Sequence, residues 1–200
     1  MAVSTERKSA VNVGKIAYAP LTLDSVATLT YGTVVDMSEV LVSVKYTPKM
    51  NQGKQFVSGR EYDSYVAKAG GQLDVQVPAL NAEDGNGLFG TTIDATSFVS
   101  KSTKDDVVPD VMVMYSTKTS GGKINLYKFP KCKFTDQGES ATTSDENGIT
   151  YTAQTISASY AALIHGGSEM YSIKGLDPTT DAATITAWFG TATGGTDLAS

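Results

Sequence analysis

At 200 residues and a net charge of −5, the chain has the length for one well-cored β domain with long appendages, or two small domains at most. Its 16 basic residues are scattered among 21 acidic ones, which excludes a sequestering nucleic-acid binder, since that role gathers Lys and Arg on one face to displace counterions from phosphates. A single cysteine, Cys132, excludes an internal disulfide and any multi-cysteine metal site.

Residues 1–11 are polar and read as a flexible N-terminal arm. They lack the apolar core of a signal peptide, and no later segment approaches a membrane span, so synthesis and folding in a reducing cytoplasm are expected. Residues 12–21 and 26–37 read as short strands split by a turn at 22–25. Residues 39–46 alternate, with Val40, Val42 and Val44 to one side and Glu39, Ser43 and Lys45 to the other, Leu41 being the exception. A long polar loop is expected over 47–59. Residues 71–77 alternate again, setting Leu73, Val75 and Val77 against Gln72, Asp74 and Gln76, the pattern of antiparallel sheet lying over a core.

Residues 78–90 are the best helix candidate, with Asn81 a cap and Gly85 and Gly87 making it short or broken. Three strong strands follow at 110–115, 123–134 and 148–159, rich in β-branched and aromatic residues. The turn segments 117–122 and 135–147 supply Gly, Ser, Asp and Asn. Residues 168–174 and 182–189 read as two weak strands around a Gly-Leu-Asp-Pro turn, and 191–200 as a flexible tail. The expectation is mainly β: an antiparallel sandwich or barrel over 12–190 with one short flanking helix.

No motif carries catalysis, and no cofactor is expected. GNGLFG (85–90) matches Gly-x-Gly-x-x-Gly, but the β-branched residues after it deny the strand–turn–helix context that grips a pyrophosphate. SGGK (120–123) has Ile124 where a phosphate loop needs Ser or Thr, so a hairpin turn is expected. His165, the sole histidine, has no second histidine or cysteine pair for a metal and reads as a loop residue. Asp145, Glu146 and Asn147 lack the spacing of a calcium loop. Lys128, Lys131 and Lys133 read as a solvated strand edge.

Taken in order, VGKIAYAPL, TYGTVVDMSEVLVSVKY, GGQLDVQVPALNAEDGNGLFG, VVPDVMVMY, GGKINLYKFPKCKF, GITYTAQTISASYAAL and the terminal TAWF resemble the major tail protein family of long, flexible-tailed phages of Gram-positive hosts. The resemblance spans 13–189. It implies a tail tube protein: a β-sandwich with a flanking helix that closes into hexameric rings, stacked into the hollow conduit for the genome. It also implies assembly in the host cytoplasm, residence in the virion tail, and contacts with tape measure, tail terminator and distal tail proteins. DNA would pass without specific binding, and the chain would not insert in a membrane. A β-sandwich binding module for carbohydrate or a surface receptor is the other reading.

If each of six subunits adds four strands, spaced ~4.8 Å and tilted ~40°, the backbone barrel is roughly 48 Å across and its bore about 35–40 Å, wide enough for duplex DNA. Six copies at −5 each carry −30. The polar side of the two alternating segments, Glu39, Ser43, Gln72, Asp74 and Gln76, is the expected lumen face. The polar loop residues Pro48, Lys49, Met50, Asn51, Gln52 and Lys54 are expected to reach the neighbouring ring, because the loop is too polar for core and too long for a tight hairpin.

Overall fold

The computed structural model describes residues 8–58, 60–94, 96–97, 99–135, 138 and 153–190. In chain order these form β1 (Ala10–Asp24), β2 (Leu29–Tyr31), β3 (Val35–Asp36), a 3-10 turn (Ser38–Val40), β4 (Ser43–Val57), β5 (Arg60–Val77), α1 (Ala82–Phe89), β6 (Thr92–Ile93), β7 (Ser100–Lys101), β8 (Asp110–Thr119), β9 (Ile124–Thr135), β10 (Gln154–Tyr160), β11 (Tyr171–Leu176) and α2 (Ala182–Gly190). The protein is mainly β, antiparallel and sandwich-like, with two helices among the described residues. The main sheet runs β2-β1-β8-β9-β10-β5-β4, with β3 on β1 and β11 on β9; β6 and β7 form a separate ribbon.

Several expectations change. Residues 47–57 are strand, not loop: β4 pairs with β5 from Ser43↔Gln76 out to Val57↔Arg60. Backbone pairing outweighs the polar composition there. Glu39 lies in the 3-10 turn, so β4 begins only at Ser43. The segment expected as a last strand is helix α2. The N-terminal arm was drawn too long, since Ala10 and Val11 already belong to β1. Residues 1–7, Gly59, 139–152 (with Asp145, Glu146 and Asn147) and the tail 191–200 lie outside the described residues.

The sheet separates two apolar clusters. One joins Ile16 and Tyr18 of β1, Val111, Val113 and Tyr115 of β8, Phe129 of β9, and Leu73, Val75 and Val77 of β5, with α1 contributing Leu88. The other lies on the opposite side of β1 and β8, where Ala17, Ala19, Met112 and Met114 meet Leu126, Leu176, Trp188 and Phe189. Strands β1 and β8 are therefore buried on both faces, and four and six consecutive buried residues (16–19 and 111–116) replace alternation. Tyr46 of β4 packs 5.7 Å from Phe129 between ring centroids, so the sheet curls back on itself.

A bulge in β9 sets this curl. Val111 faces Cys132 while Val113 faces Phe129, so β9 carries an extra residue at Pro130–Lys131. Proline lacks the N–H a ladder would need and suits a bulge. Its carbonyl accepts the Tyr31 hydroxyl at 2.9 Å.

α1 has a full capping box: the Asn81 side chain accepts from Asp84 N, and the Asp84 carboxyl accepts from Asn81 N. Gly90 closes the helix in the left-handed conformation, φ 75°. Gly87 is the one position where helix meets sheet closely; a Cβ there would stand 2.4 Å from the Tyr18 hydroxyl. Of the two glycines that weaken this helix in sequence, Gly87 thus allows it to lie on Tyr18.

Beneath α2, Lys128 is fully buried, its Nζ 4.7 Å from the Trp188 ring centroid. The solvated lysine edge expected from Lys128, Lys131 and Lys133 does not exist: all three sit on the central strand β9. Burial lowers the Lys128 pKa from 10.5 to about 8. Between those values the unfolded chain binds the extra proton, so stability rises with pH through that window and the full burial cost is present below it. Above pH ~9 the net trend reverses, because burial raises the Cys132 thiol and buried phenols such as Tyr18, the latter to about 12, and the unfolded chain ionises first. Urea melts should show stability rising from pH 7.5 to about 8.5. Lys128→Met should be about 2 kcal/mol more stable at pH 7 and lack that rise; an unchanged slope between about pH 7.5 and 8.5 would refute the assignment.

Candidate functional site

Two features stand out: a polar sheet face and a projecting ribbon. On the side of β4, β5, β10 and β9 turned away from the first core, cross-strand register stacks polar residues in rows. Ser43 aligns with Gln76 and Thr155; Lys45 with Asp74, Ser157 and Thr135; Thr47 with Gln72, Ser159, Lys133 and then Asp110 of β8. Side chains bond along and across the rows. Ser43 Oγ donates to Gln76 Oε1 at 3.1 Å, and Ser157 Oγ and Gln72 Nε2 both donate to Asp74 Oδ1 at 2.7 Å. Those bonds, Ser157 first, hold the Asp74 carboxyl below its ordinary value against a small opposing effect of burial.

Four of the five residues expected on one polar face, Ser43, Gln72, Asp74 and Gln76, share it. Glu39 does not, because the 3-10 turn breaks the alternation that placed it there. The charges present are Lys45 and Lys133 against Asp74 and Asp110, with Lys133 Nζ 3.6 Å from Asp110 Oδ1. The face is neutral rather than acidic. The Thr155, Ser157 and Ser159 row was missed, although its alternation with the buried Ile156, Ala158 and Tyr160 was visible in the sequence.

Beyond this face, β4 and β5 continue as a two-stranded ribbon over residues 49–68. Every described side chain in it except Ala67 is exposed. Pro48, Lys49, Met50, Asn51, Gln52 and Lys54 all sit on its β4 strand. Nine residues of strand extend about 30 Å. Val57 pairs with Arg60, and Ser58 takes φ 50°. The ribbon leaves the sheet at a crease: β4 has a register shift between Pro48 and Met50, Gly70 takes φ 69°, and its N–H donates to Glu169 Oε1 at 3.0 Å. A groove of about 730 Å³ lies in the crease, lined by Thr47, Gly71, Gln72, Ser157, Ser159 and Tyr160 among others. Among the described residues no strand pairs with the outer edge of β4.

The sequence motifs take structural places. SGGK is the β8–β9 turn, with Gly122 at φ 79°. His165 donates its backbone N–H to Asp24, which also accepts from Ile164 N and pairs with Lys131 at 2.8 Å. Burial raises the Asp24 pKa, but the Lys131 and backbone bonds outweigh it and hold the carboxyl low. Cys132 is a buried free thiol whose pKa burial pushes up. Among the described residues no group of three or more His, Cys, Asp or Glu could hold a metal ion, and no helix is long and apolar enough to cross a membrane.

By class, then, this is a sandwich-like antiparallel β protein carrying a neutral polar wall and an exposed two-stranded arm. Compared with known proteins, the chain matches no family model and no curated sequence.

Proposed function

We propose that the chain is a structural, non-enzymatic tube subunit of a phage tail, closing into hexameric rings that stack into the conduit for genome delivery. One observation carries this: the sheet ends in a 15-residue strand whose outer edge is unpaired among the described residues, continued by a ribbon exposed on both faces. A two-stranded ribbon alone is marginally stable in water, and a long bare edge invites pairing. A second copy satisfies both, the β4 edge continuing the wall of the next subunit in a heterologous contact that closes when the rotation permits. The order of landmarks along the sequence supports the same reading.

On this reading Ser43, Gln72, Asp74 and Gln76 line the bore, together with Lys45, Thr155 and Ser157. Hydroxyls, amides and balanced charges offer phosphates no net cationic surface, so DNA slides without counterion exchange. The ribbon reaches the neighbouring ring. Tape measure, tail terminator and distal tail proteins are the expected further contacts, with assembly in the host cytoplasm and residence in the virion tail.

Size-exclusion chromatography and negative-stain imaging of the full chain at rising concentration test this. Rings or tubes with a bore of about 35–40 Å are expected. A chain that stays monomeric throughout and retains glycans, using the crease groove, would establish the binding-module reading instead.

A further inference from the structure

Charge divides along β5. Residues 49–68 carry Lys49, Lys54, Arg60 and Lys68 against Glu61 and Asp63, a net +2 in a chain of −5. Residues 81–106 carry Glu83, Asp84, Asp94, Asp105 and Asp106 against Lys101 and Lys104, a net −3. These segments lie at opposite ends of the same strand: the ribbon tip precedes Arg60, while α1 begins just after Val77. The strand is 18 residues long, about 60 Å of contour, with the crease at Gly70 between the two segments.

At the acidic end lies a groove of about 470 Å³ between α1 and the segment entering β8. Tyr18, Pro20, Val35, Val107 and Pro109 give it apolar walls, and Glu83 and Asn86 of α1 border it. Val107 is 80 % exposed and Val35 is also exposed, which leaves apolar surface open to water. The tip presents the matching chemistry: Tyr62 at 75 % and Tyr65 at 70 % exposure, beside Arg60. Aromatic anchors seated in a pocket, with charge pairs at the rim, are how small interfaces gain affinity.

We infer that the groove between α1 and residues 107–109 receives the β4–β5 ribbon tip of a second copy, Tyr62 entering the apolar floor and Arg60 meeting Glu83. The inference rests on the tube reading and names the receiving surface for the arm. Donor and receptor are different surfaces at opposite ends of β5, so the contact is head-to-tail, and on the tube reading it runs from ring to ring along the axis. Rings then stack with one polarity.

Cysteines at both positions test it, since the native Cys132 is fully buried and does not compete. Polymerised chains carrying both Tyr62→Cys and Val107→Cys should give a ladder of covalent multimers on a non-reducing gel after mild oxidation, and each single variant none. In parallel, Arg60→Glu or Glu83→Arg should each lower polymer yield about tenfold, the effect being multiplied over the contacts of a ring, with the pair restoring it. Circular dichroism checks that each variant folds. Tubes without a ladder, a ladder from Tyr62→Cys alone, or no restoration in the charge-swapped pair would overturn the docking while leaving the tube reading intact. A wild-type chain that forms no multimer under any condition overturns both.

Discussion

Excising residues 51–67 and closing Met50 to Lys68 through Asn-Gly should leave the fold intact and abolish long tubes. Met50 and Lys68 are a register pair, and a two-residue Asn-Gly turn fits the twist of an antiparallel pair. Neither apolar cluster includes a residue between 47 and 72, so the shortened chain keeps its core. Thermal denaturation should therefore shift by no more than about 3 °C, the effect of roughly 1 kcal/mol in a chain of this size. Negative-stain images should show isolated rings or monomers where the wild-type chain gives tubes. Abundant tubes from the shortened chain would remove the ribbon from any role between rings.

The second large effect is expected at the crease. A Cβ on Gly71 would stand 2.3 Å from the Thr47 carbonyl oxygen and 2.5 Å from the Tyr160 hydroxyl. Tyr160 cannot yield freely, because its ring packs 4.8 Å from Phe129 in the first core. Gly71→Val therefore forces apart β4, β5 and β10 where they converge and should cost about 3 kcal/mol, a fall in melting temperature of roughly 6–12 °C. Gly53 is the internal control: it lies in the ribbon, and a Cβ there meets nothing within 4 Å. Gly53→Val should be near neutral in the same melt. Equal losses at the two sites would mean that the crease is not tightly packed.

What the sequence disclosed follows from which faces are buried. β5 was legible over residues 71–77 because one face meets the core and the other meets water, so Leu73, Val75 and Val77 alternate with polar neighbours. The same strand was illegible over 60–68, as was β4 beyond Thr47, because a ribbon exposed on both sides has no apolar period to show. Glu39 was misplaced for a related reason. A short 3-10 turn shifts the phase, so Leu41 packs against the core while Val42 is 51 % exposed. α2 carried a helical signal in Ile185, Trp188 and Phe189 at i, i+3 and i+4. Its Thr, Ile and aromatic content, favoured in strands, masked that spacing. The four face residues that were found sit on the two cleanest alternating runs. The row on β10 alternates equally, yet it lies behind a segment that reads as turn.

Strand β1 has a further consequence for the order of events during synthesis. One edge of it finds nearby partners in β2 and β3, but the other pairs far downstream with β8, as in the Lys15 N–H donation to Ser116 Oγ across 101 positions, whereas β4 and β5 complete each other across a two-residue connection. Non-local pairing is slow, and local hairpins close within microseconds. The emerging polypeptide thus matures from its protrusion inward: the projecting hairpin is made long before the N-terminal strand reaches its place in the sheet, and that strand, held only by its short local partners, keeps its inner edge open until the eighth has left the ribosome.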